Sequence, residues 1–454
     1  MGRQPRDRTR GHTVGETAVH MRCVVMWFRR DLRLSDHPAL VAAVATGLPV
    51  VPLFVVDPAF STAGAPRQAY MREALASLDR SMGGALVYRS GDPAVVVPQF
   101  ADDVGATSVF VTRDFGPYGR RRDAMVAERL GADDRRLIGR GSPYVVDPGS
   151  VVKEDGSPYA VFTPFLKRWR TYDVGAPLDE PDVDWLGAPA IASPGPPPPV
   201  DTRCALPDIG EQAARLRWSR FADGALDQYD GLRNDPAVAG TSQLSPDIRW
   251  GVVHPRQILA DLSPDAHGTF ASELAWRDFY ADVLYRRPDT AWANLNAAMD
   301  AMPIDIDDQA RQRFAVWCSG RTGFPLVDAG MRQMLATGWM HNRVRMVAAS
   351  FLVKDLHLPW QWGARHFMDH LIDGDLASNN HGWQWAAGTG TDAAPYFRIF
   401  NPSAQAERFD RDGEYVRRWI PELGTTAYPA PMVDHATERL EALRRYRLVA
   451  ASTR

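Results

Sequence analysis

The 454 residues are enough for two to three domains, each with a sizeable core. At 45% hydrophobic and 24% charged residues the chain reads as soluble and globular, and it has no apolar run long enough to span a bilayer. A net charge of −3 excludes a globally basic nucleic-acid binder but leaves room for a local basic groove.

In chain order, residues 1–20 lack an apolar signal core and read as a disordered, arginine-bearing extension, with Met21 a candidate start and the cytoplasm the expected location. Cys23, Cys204 and Cys318 are scattered and odd in number, without metal or redox spacing, which fits a reducing compartment. The segment "RCVVMWFRRDLRLSDHPAL" (22–40) reads as a buried strand, a polar loop and a helix start. Apolar strands recur at 48–57, 84–93 and 106–123, with helical stretches between them. This alternation predicts an α/β domain over 21–150, built on a doubly wound parallel sheet. Ligands of such sheets sit at the carboxyl ends of strands, so residues 28–33 and 112–118 are candidate ligand loops. Residues 151–210 read as an interdomain linker, stiffened by the proline-rich stretch 177–203. From 211 to 454 the strand pattern gives way to helical periodicity, which predicts an all-α second domain holding eleven of the fourteen tryptophans.

Several segments of the helical half carry chemistry. "TSQLSP" (241–246) sets three hydroxyls and closely spaced amides at an expected helix start, which suits a phosphate or simply a helix cap. "ELAWRDFY" (273–280) puts Glu273, Trp276 and Arg277 on one helix face, which suits a flat polar ligand or a surface ion pair over a tucked indole. "WMHNRVRM" (339–346) puts Asn342 and Met346 on one face and His341 and Arg345 on another. Arg343 and Arg345 suit phosphate or a carboxylate. "HFMDH" (366–370) sets His366 and His370 one turn apart without a third ligand, so a structural pair is expected and no metal. "GTGTDA" (388–393) follows a helical stretch rather than a strand and reads as a turn.

The segment "DGDLASNNHGWQWAAGTGTDAAPYFRIFNP" (373–402) concentrates amides and indoles. If 376–387 is helical, Asn379 and Trp383 share a face, while Trp385 points about 200° away from Trp383. Two neighbouring guests are then expected, the alternative being ordinary core indoles. The adjacent amides of Asn379 and Asn380 require partners wherever they are buried.

These segments, with "WFRRDLRLSDHPAL", "VFTPFLKRW", "GRTGFPLVDAGMRQMLATGWMHNRVRMVAASFLVKDL" and "RWIPEL", resemble the photolyase/cryptochrome family over about residues 21–435. Within it they look most like class I cyclobutane pyrimidine dimer DNA photolyases. The resemblance implies an antenna domain joined to a helical FAD-binding catalytic domain that extends to 454. It implies light-driven DNA repair, in which an electron from excited reduced FAD splits a pyrimidine dimer in damaged DNA. Tyr229, Thr241, Ser242, Gln243, Leu244, Ser245, Phe270, Arg345, Asp373, Gly374 and Asp375 are the implied FAD contacts, with Asn379 facing flavin N5. Gln243 stands where some relatives carry a basic residue, and Phe270 where many carry Trp. Glu273, Asn379, Trp276 and Trp385 are the implied catalytic residues; the two indoles wall a slot for the flipped-out dimer and Glu273 bonds its edge. Arg233, Arg277, Asn342, Arg343, Met346 and Gln405 complete the implied DNA contacts. Trp383 and Trp360 match two members of the family's electron-transfer chain; the third falls at Asp307, so either Trp317, Trp292 or a tyrosine substitutes or photoreduction is slow. An antenna chromophore is implied, with "RDFGPYGRRRD" (113–123) favouring a deazaflavin over methenyltetrahydrofolate. A monomer with no membrane partner is expected. The alternatives are a cryptochrome-like blue-light sensor, a (6-4) photolyase and a passive DNA-binding flavoprotein.

Overall fold

A computed structural model describes residues 22–188, 190–392 and 398–452, so the expected extension at 1–20 lies outside the described residues. Five parallel strands form one sheet: β1 (Cys23–Phe28), β2 (Val50–Val56), β3 (Val87–Ser90), β4 (Ala106–Val111) and β5 (Arg136–Gly139), in the order β3-β2-β1-β4-β5. Every residue of β1, "CVVMWF", is buried, as expected for the central strand of a sheet covered on both faces. Its side chains alternate: Val24, Met26 and Phe28 join one core, and Cys23, Val25 and Trp27 join the other. The order reverses at β1, which places a switch point between the carboxyl ends of β1 and β4. Prolines mark the helix starts: Pro93 follows the capping Asp92, and Pro117 follows Gly116.

The linker does not leave the sheet freely. Val50 N–H donates to Asp184 O and Leu186 N–H to Val50 O, both at 2.9 Å. Ala188 N–H donates to Ala85 O at 3.1 Å. Gly187 permits that approach, because a Cβ there would lie 1.9 Å from Ala85 O. Farther on, Ser193 Oγ accepts from Tyr88 N–H and Pro197 O from Arg72 Nε.

Beyond the linker the described elements are helical. One face of the sheet shares its core with this half, where Tyr70 stacks on Trp250 and bonds Asp247. A second core is built from the helices Pro325–Thr337, Asn342–Lys354, Trp360–His370 and Leu376–Ala387. The last of these runs through the middle of the half, packed on its two predecessors and on the helix Gly268–Arg286. No helix among the described residues is long and apolar enough to cross a membrane.

Candidate active site

The helix Leu376–Ala387 starts where Asp375 caps it, accepting from the N–H groups of Ala377 and Ser378. It stops at the left-handed Gly388, so the start of "GTGTDA" is a helix cap and turn; Ala393 lies outside the described residues. Asn380 donates to Ala291 O, and Gln384 both donates to Thr290 O and accepts from Leu295 N–H. These buried amides fix the rotation of the helix, and with it the direction of the other faces. Asn379 donates to Ala364 O at 3.0 Å and to Asn380 Oδ1 at 2.8 Å. Its amide donors are thus committed, while no group among the described residues donates to Asn379 Oδ1.

Trp383 is buried, edge-on to Phe367 at 4.9 Å and to Trp317 at 6.0 Å between ring centroids. Trp385 is half-buried elsewhere, tilted against Phe400 at 6.4 Å, with the Arg398 guanidinium 5.7 Å from its ring. The helix therefore does what its period predicts, and presents the two indoles to different surroundings.

Just before this helix, Asp373 anchors a polar cradle. Arg345 pairs with Asp373 at 2.8 Å and donates from Nε to Met340 O. Ser245 Oγ also donates to Asp373, at 2.6 Å, and receives Trp339 Nε1–H at 3.3 Å. Gln243 is left-handed at φ 52, and Leu244 follows at φ −83, ψ 0. Successive residues of opposite hand turn their amides to one side and form an anion-binding concavity. Thr241 and Ser242 flank it, half-buried. Tyr229 meets Phe270 edge-on at 5.0 Å, and Phe270 sits in a ring cluster with Trp218 and Phe221. An amide oxygen open to an N–H donor, amides arranged for phosphate and an Arg–Asp pair bonded to Ser245 fit the FAD that the resemblance implies.

Three residues expected at ligands have neighbours at the seam between the halves. Asp375, besides capping its helix, pairs with Arg30 at 3.5 Å and Arg249 at 3.7 Å. Burial works to raise its carboxyl, but Arg249 and Arg30 outweigh it and hold it below the usual carboxylate range. Arg277 donates to Pro143 O at 2.7 Å and lies 4.4 Å over the Tyr144 ring, which ties it to the seam. Gly374 is buried there too, where a Cβ would sit 3.1 Å from Arg67 Cδ.

On the helix Gly268–Arg286, Trp276 stacks on Phe162 at 3.7 Å and 12°. Glu273 pairs with Arg233 at 2.6 Å. Burial pushes the Glu273 carboxyl up, opposed by Arg233, and the net direction is upward. Arg343 donates to Asn234 Oδ1 at 2.6 Å and lies 4.5 Å over the Phe409 ring, which Arg408 also covers at 5.0 Å. Burial, then Arg233 and Arg408, lower the pKa of Arg343, so three guanidinium groups crowd one rim. Asn342 is exposed beside them, and Met346 is half-buried. Gln405 Oε1 is buried without a partner among the described residues. His341 caps its helix by accepting from Arg343 N–H, and burial with Arg345 and Arg343 lowers its pKa to about 4, so it is neutral.

Phe162, Arg408 and Phe409 are the residues that motif reading passes over. Phe162 lies inside "VFTPFLKRW", where its spacing to Phe165 and Trp169 marks only a buried helix face. Arg408→Ala is expected to weaken damaged and undamaged DNA alike and to lower the salt dependence of binding by about one counterion. Titrations at several salt concentrations check it; a loss confined to damaged DNA would contradict a phosphate role.

Comparison with known proteins decides the family. A family model for the FAD binding domain of DNA photolyase matches residues 270–427, and one for DNA photolyase matches residues 24–182. A deoxyribodipyrimidine photo-lyase from Synechococcus sp. is 37% identical over 91% of this chain and 94% of its own. The chain belongs to the DNA photolyase family. Among solved structures, a class III photolyase from Agrobacterium tumefaciens superposes with a TM-score of 0.85 at 34% identity, covering 97% of this chain and 100% of that one. A cryptochrome from Synechocystis sp. PCC6803 gives 0.83 at 27% identity, over 93% and 99%. The photolyase fold thus accommodates both kinds of relative, and the solved photolyase of 0.85 TM-score is of class III where the motifs resemble class I.

Trp360, Asp307 and Trp292 are the further residues of this photolyase weighed for the electron path. Trp360 is buried, donates from Nε1 to Asn294 Oδ1 at 2.8 Å, and lines a cavity of about 180 Å³ with Met299, Met302 and Leu358. Asp307 is a helix cap that accepts from Ala310 N–H at 2.7 Å. Trp292 is exposed, with Arg365 at 5.2 Å over its ring.

The two expected ligand loops of the sheet do lie at the carboxyl ends of β1 and β4, and charges fill the space between them. Arg29 pairs with Asp123 at 2.5 Å, and Arg122 with Asp114 at 3.2 Å and Asp123 at 2.9 Å. Both guanidinium groups lie over Trp27, at 4.8 and 5.2 Å. Burial works to raise Asp114, but Arg30, Arg122 and Arg29 hold it far below the usual range. The expected antenna chromophore, a deazaflavin or a folate, would meet these ion pairs at the carboxyl ends of β1 and β4.

Proposed function

We propose that this protein is a light-driven deoxyribodipyrimidine photo-lyase that splits cyclobutane pyrimidine dimers in DNA. The observation that supports the reading is the helix Leu376–Ala387, which leaves Asn379 Oδ1 without a donor among the described residues and gives Trp383 and Trp385 different surroundings. Bound reduced FAD supplies the photoexcited electron. Asn379 Oδ1 accepts a flavin N–H, and the amides around Gln243 and Leu244 hold the phosphates. Arg345 and Asp373 fix the ring between these two points.

Trp385 and Trp276 receive the flipped-out dimer, whose extrusion costs a few kcal/mol, least for a damaged step. Phe162 backs Trp276 and keeps that wall upright. Glu273, with its raised pKa, donates a hydrogen bond to a pyrimidine carbonyl when protonated and falls back on Arg233 when ionised. A donor fixed in advance stabilises negative charge developing on the base. Arg233, Arg343 and Arg408 hold the backbone phosphates, which position the strand without reading its sequence.

Illumination of the reduced protein with oligonucleotides bearing either a cyclobutane dimer or a (6-4) product tests the reading. Loss of the cyclobutane dimer alone is expected. No repair of either would turn the reading towards a light sensor or a passive flavoprotein, and repair of the (6-4) product alone would reassign the lesion. The purified protein is also expected to carry noncovalent FAD; a heat-released supernatant without a flavin spectrum would sink that part.

A further inference from the structure

Trp383 has a second aromatic neighbour that leads outward. Its ring meets Trp317 edge-on at 6.0 Å, Trp317 stacks on Phe314 at 5.8 Å and 18°, and Phe314 meets Trp362 at 5.4 Å. Burial falls along the series: Trp317 is 0% exposed, and Phe314 and Trp362 are partly exposed. Trp360 differs, because among the described residues no aromatic ring packs on it. We propose that Trp383, Trp317 and Trp362 form an electron route to the flavin site, with Phe314 as the bridge and Trp362 as the terminal donor. The inference rests on the reading that FAD lies beside Trp383.

The surroundings suit each member to its place. Trp317 donates Nε1–H to Ala348 O at 3.2 Å. A carbonyl cannot take the proton of an oxidised indole, so a positive hole on Trp317 stays mobile. His366 packs on Trp317 at 5.6 Å, and burial followed by His370 lowers its pKa to about 3, so it adds no repelling charge. Trp362 carries the exposed Arg311 guanidinium at 5.3 Å over its ring. Trp362 is also partly exposed, so the indole proton of an oxidised Trp362 passes to water, which traps the hole at the surface.

The balance is simple. Each light event moves one electron from Trp383 to the oxidised flavin. Trp317 refills Trp383, and Trp362 refills Trp317. Trp362 then loses its N–H proton to solvent. An external thiol returns one hydrogen atom to it, and two thiyl radicals close to a disulfide.

Photoreduction of oxidised holoprotein with dithiothreitol is compared for W383F, W360F, W362F and the W360F/W362F pair. W383F is expected to lose photoreduction, W360F to keep part of it, and the double variant to fall to the W383F level. Should W383F photoreduce at the parental rate, the entry beside the flavin is wrong, whatever the exit. If instead W383F loses photoreduction and W360F alone does too, or the double variant matches W360F, the proposed route is overturned. A second readout does not depend on reduction. Illumination in air without thiol should leave added oxygen on Trp362 in peptide maps, and its absence there overturns the terminus even if the double variant fails to fold. Parental flavin content in W362F shows that the substitution left the fold intact.

Discussion

Trp385→Ala is expected to weaken binding of dimer-containing DNA by about 1–3 kcal/mol, roughly five- to 150-fold, and to leave undamaged DNA nearly unchanged. The indole is half-buried, so one part is held by Phe400 and the rest is free to stack on a base. Undamaged duplex keeps its bases paired and is held mainly by phosphate contacts, which the substitution does not touch. Trp276→Ala should have a smaller effect, because Phe162 remains behind it as a second flat surface. Gel-shift titrations with matched damaged and undamaged oligonucleotides separate the outcomes. Equal losses on the two DNAs would place Trp385 in general backbone binding and remove the slot.

The second large effect is expected at Gly363, in the helix Trp360–His370. A Cβ there would lie 2.1 Å from Trp383 Cη2 and 2.6 Å from Leu352 Cδ2. Both side chains are fully packed, so neither can withdraw. Gly363→Ala should therefore cost about 1–3 kcal/mol of stability and tilt the Trp383 indole. Gly382 provides the control, since it lies in the helix Leu376–Ala387 with nothing within 4 Å of where a Cβ would stand. There the same substitution should stabilise by about 0.5–1 kcal/mol through helix propensity. Thermal unfolding with and without added FAD distinguishes them. If G363A and G382A behave alike, the close packing of Trp383 on its neighbouring helix is wrong.

Much of this architecture is legible in the residues. The strands announce themselves as β-branched and aromatic runs, because a parallel strand covered on both faces must be apolar throughout. The divergence of Trp383 and Trp385 follows from helical period alone. Other features are not local. Arg277 shares a helix face with Glu273 in the sequence pattern, yet Pro143 and Tyr144 arrive from the other half of the chain and claim its guanidinium. Asp375 looks like a ligand because it stands beside Asp373, but it meets Arg30 across 345 positions of sequence. Arg408 carries no periodic signal at all; it becomes meaningful only when Phe409 brings it over the same ring as Arg343. Periodicity reports which face of an element is buried, and it says nothing about which distant segment does the burying.

The bonding of residues 184–188 to Val50 and Ala85 bears on how the chain is made. These residues belt the amino ends of β2 and β3. During synthesis the sheet can pair its strands once β5 has emerged, yet the belt follows it at a distance, after the whole of the stretch from Arg140 to Val183. A nascent chain paused between the two points presents backbone groups of Val50 and Ala85 that have no mate, and unpaired strand ends are where chains associate wrongly. The same reasoning tells where to cut. A fragment ended at residue 150 discards the belt, while one carried through Pro197 keeps it, together with the Ser193 and Arg72 bonds that hold it down.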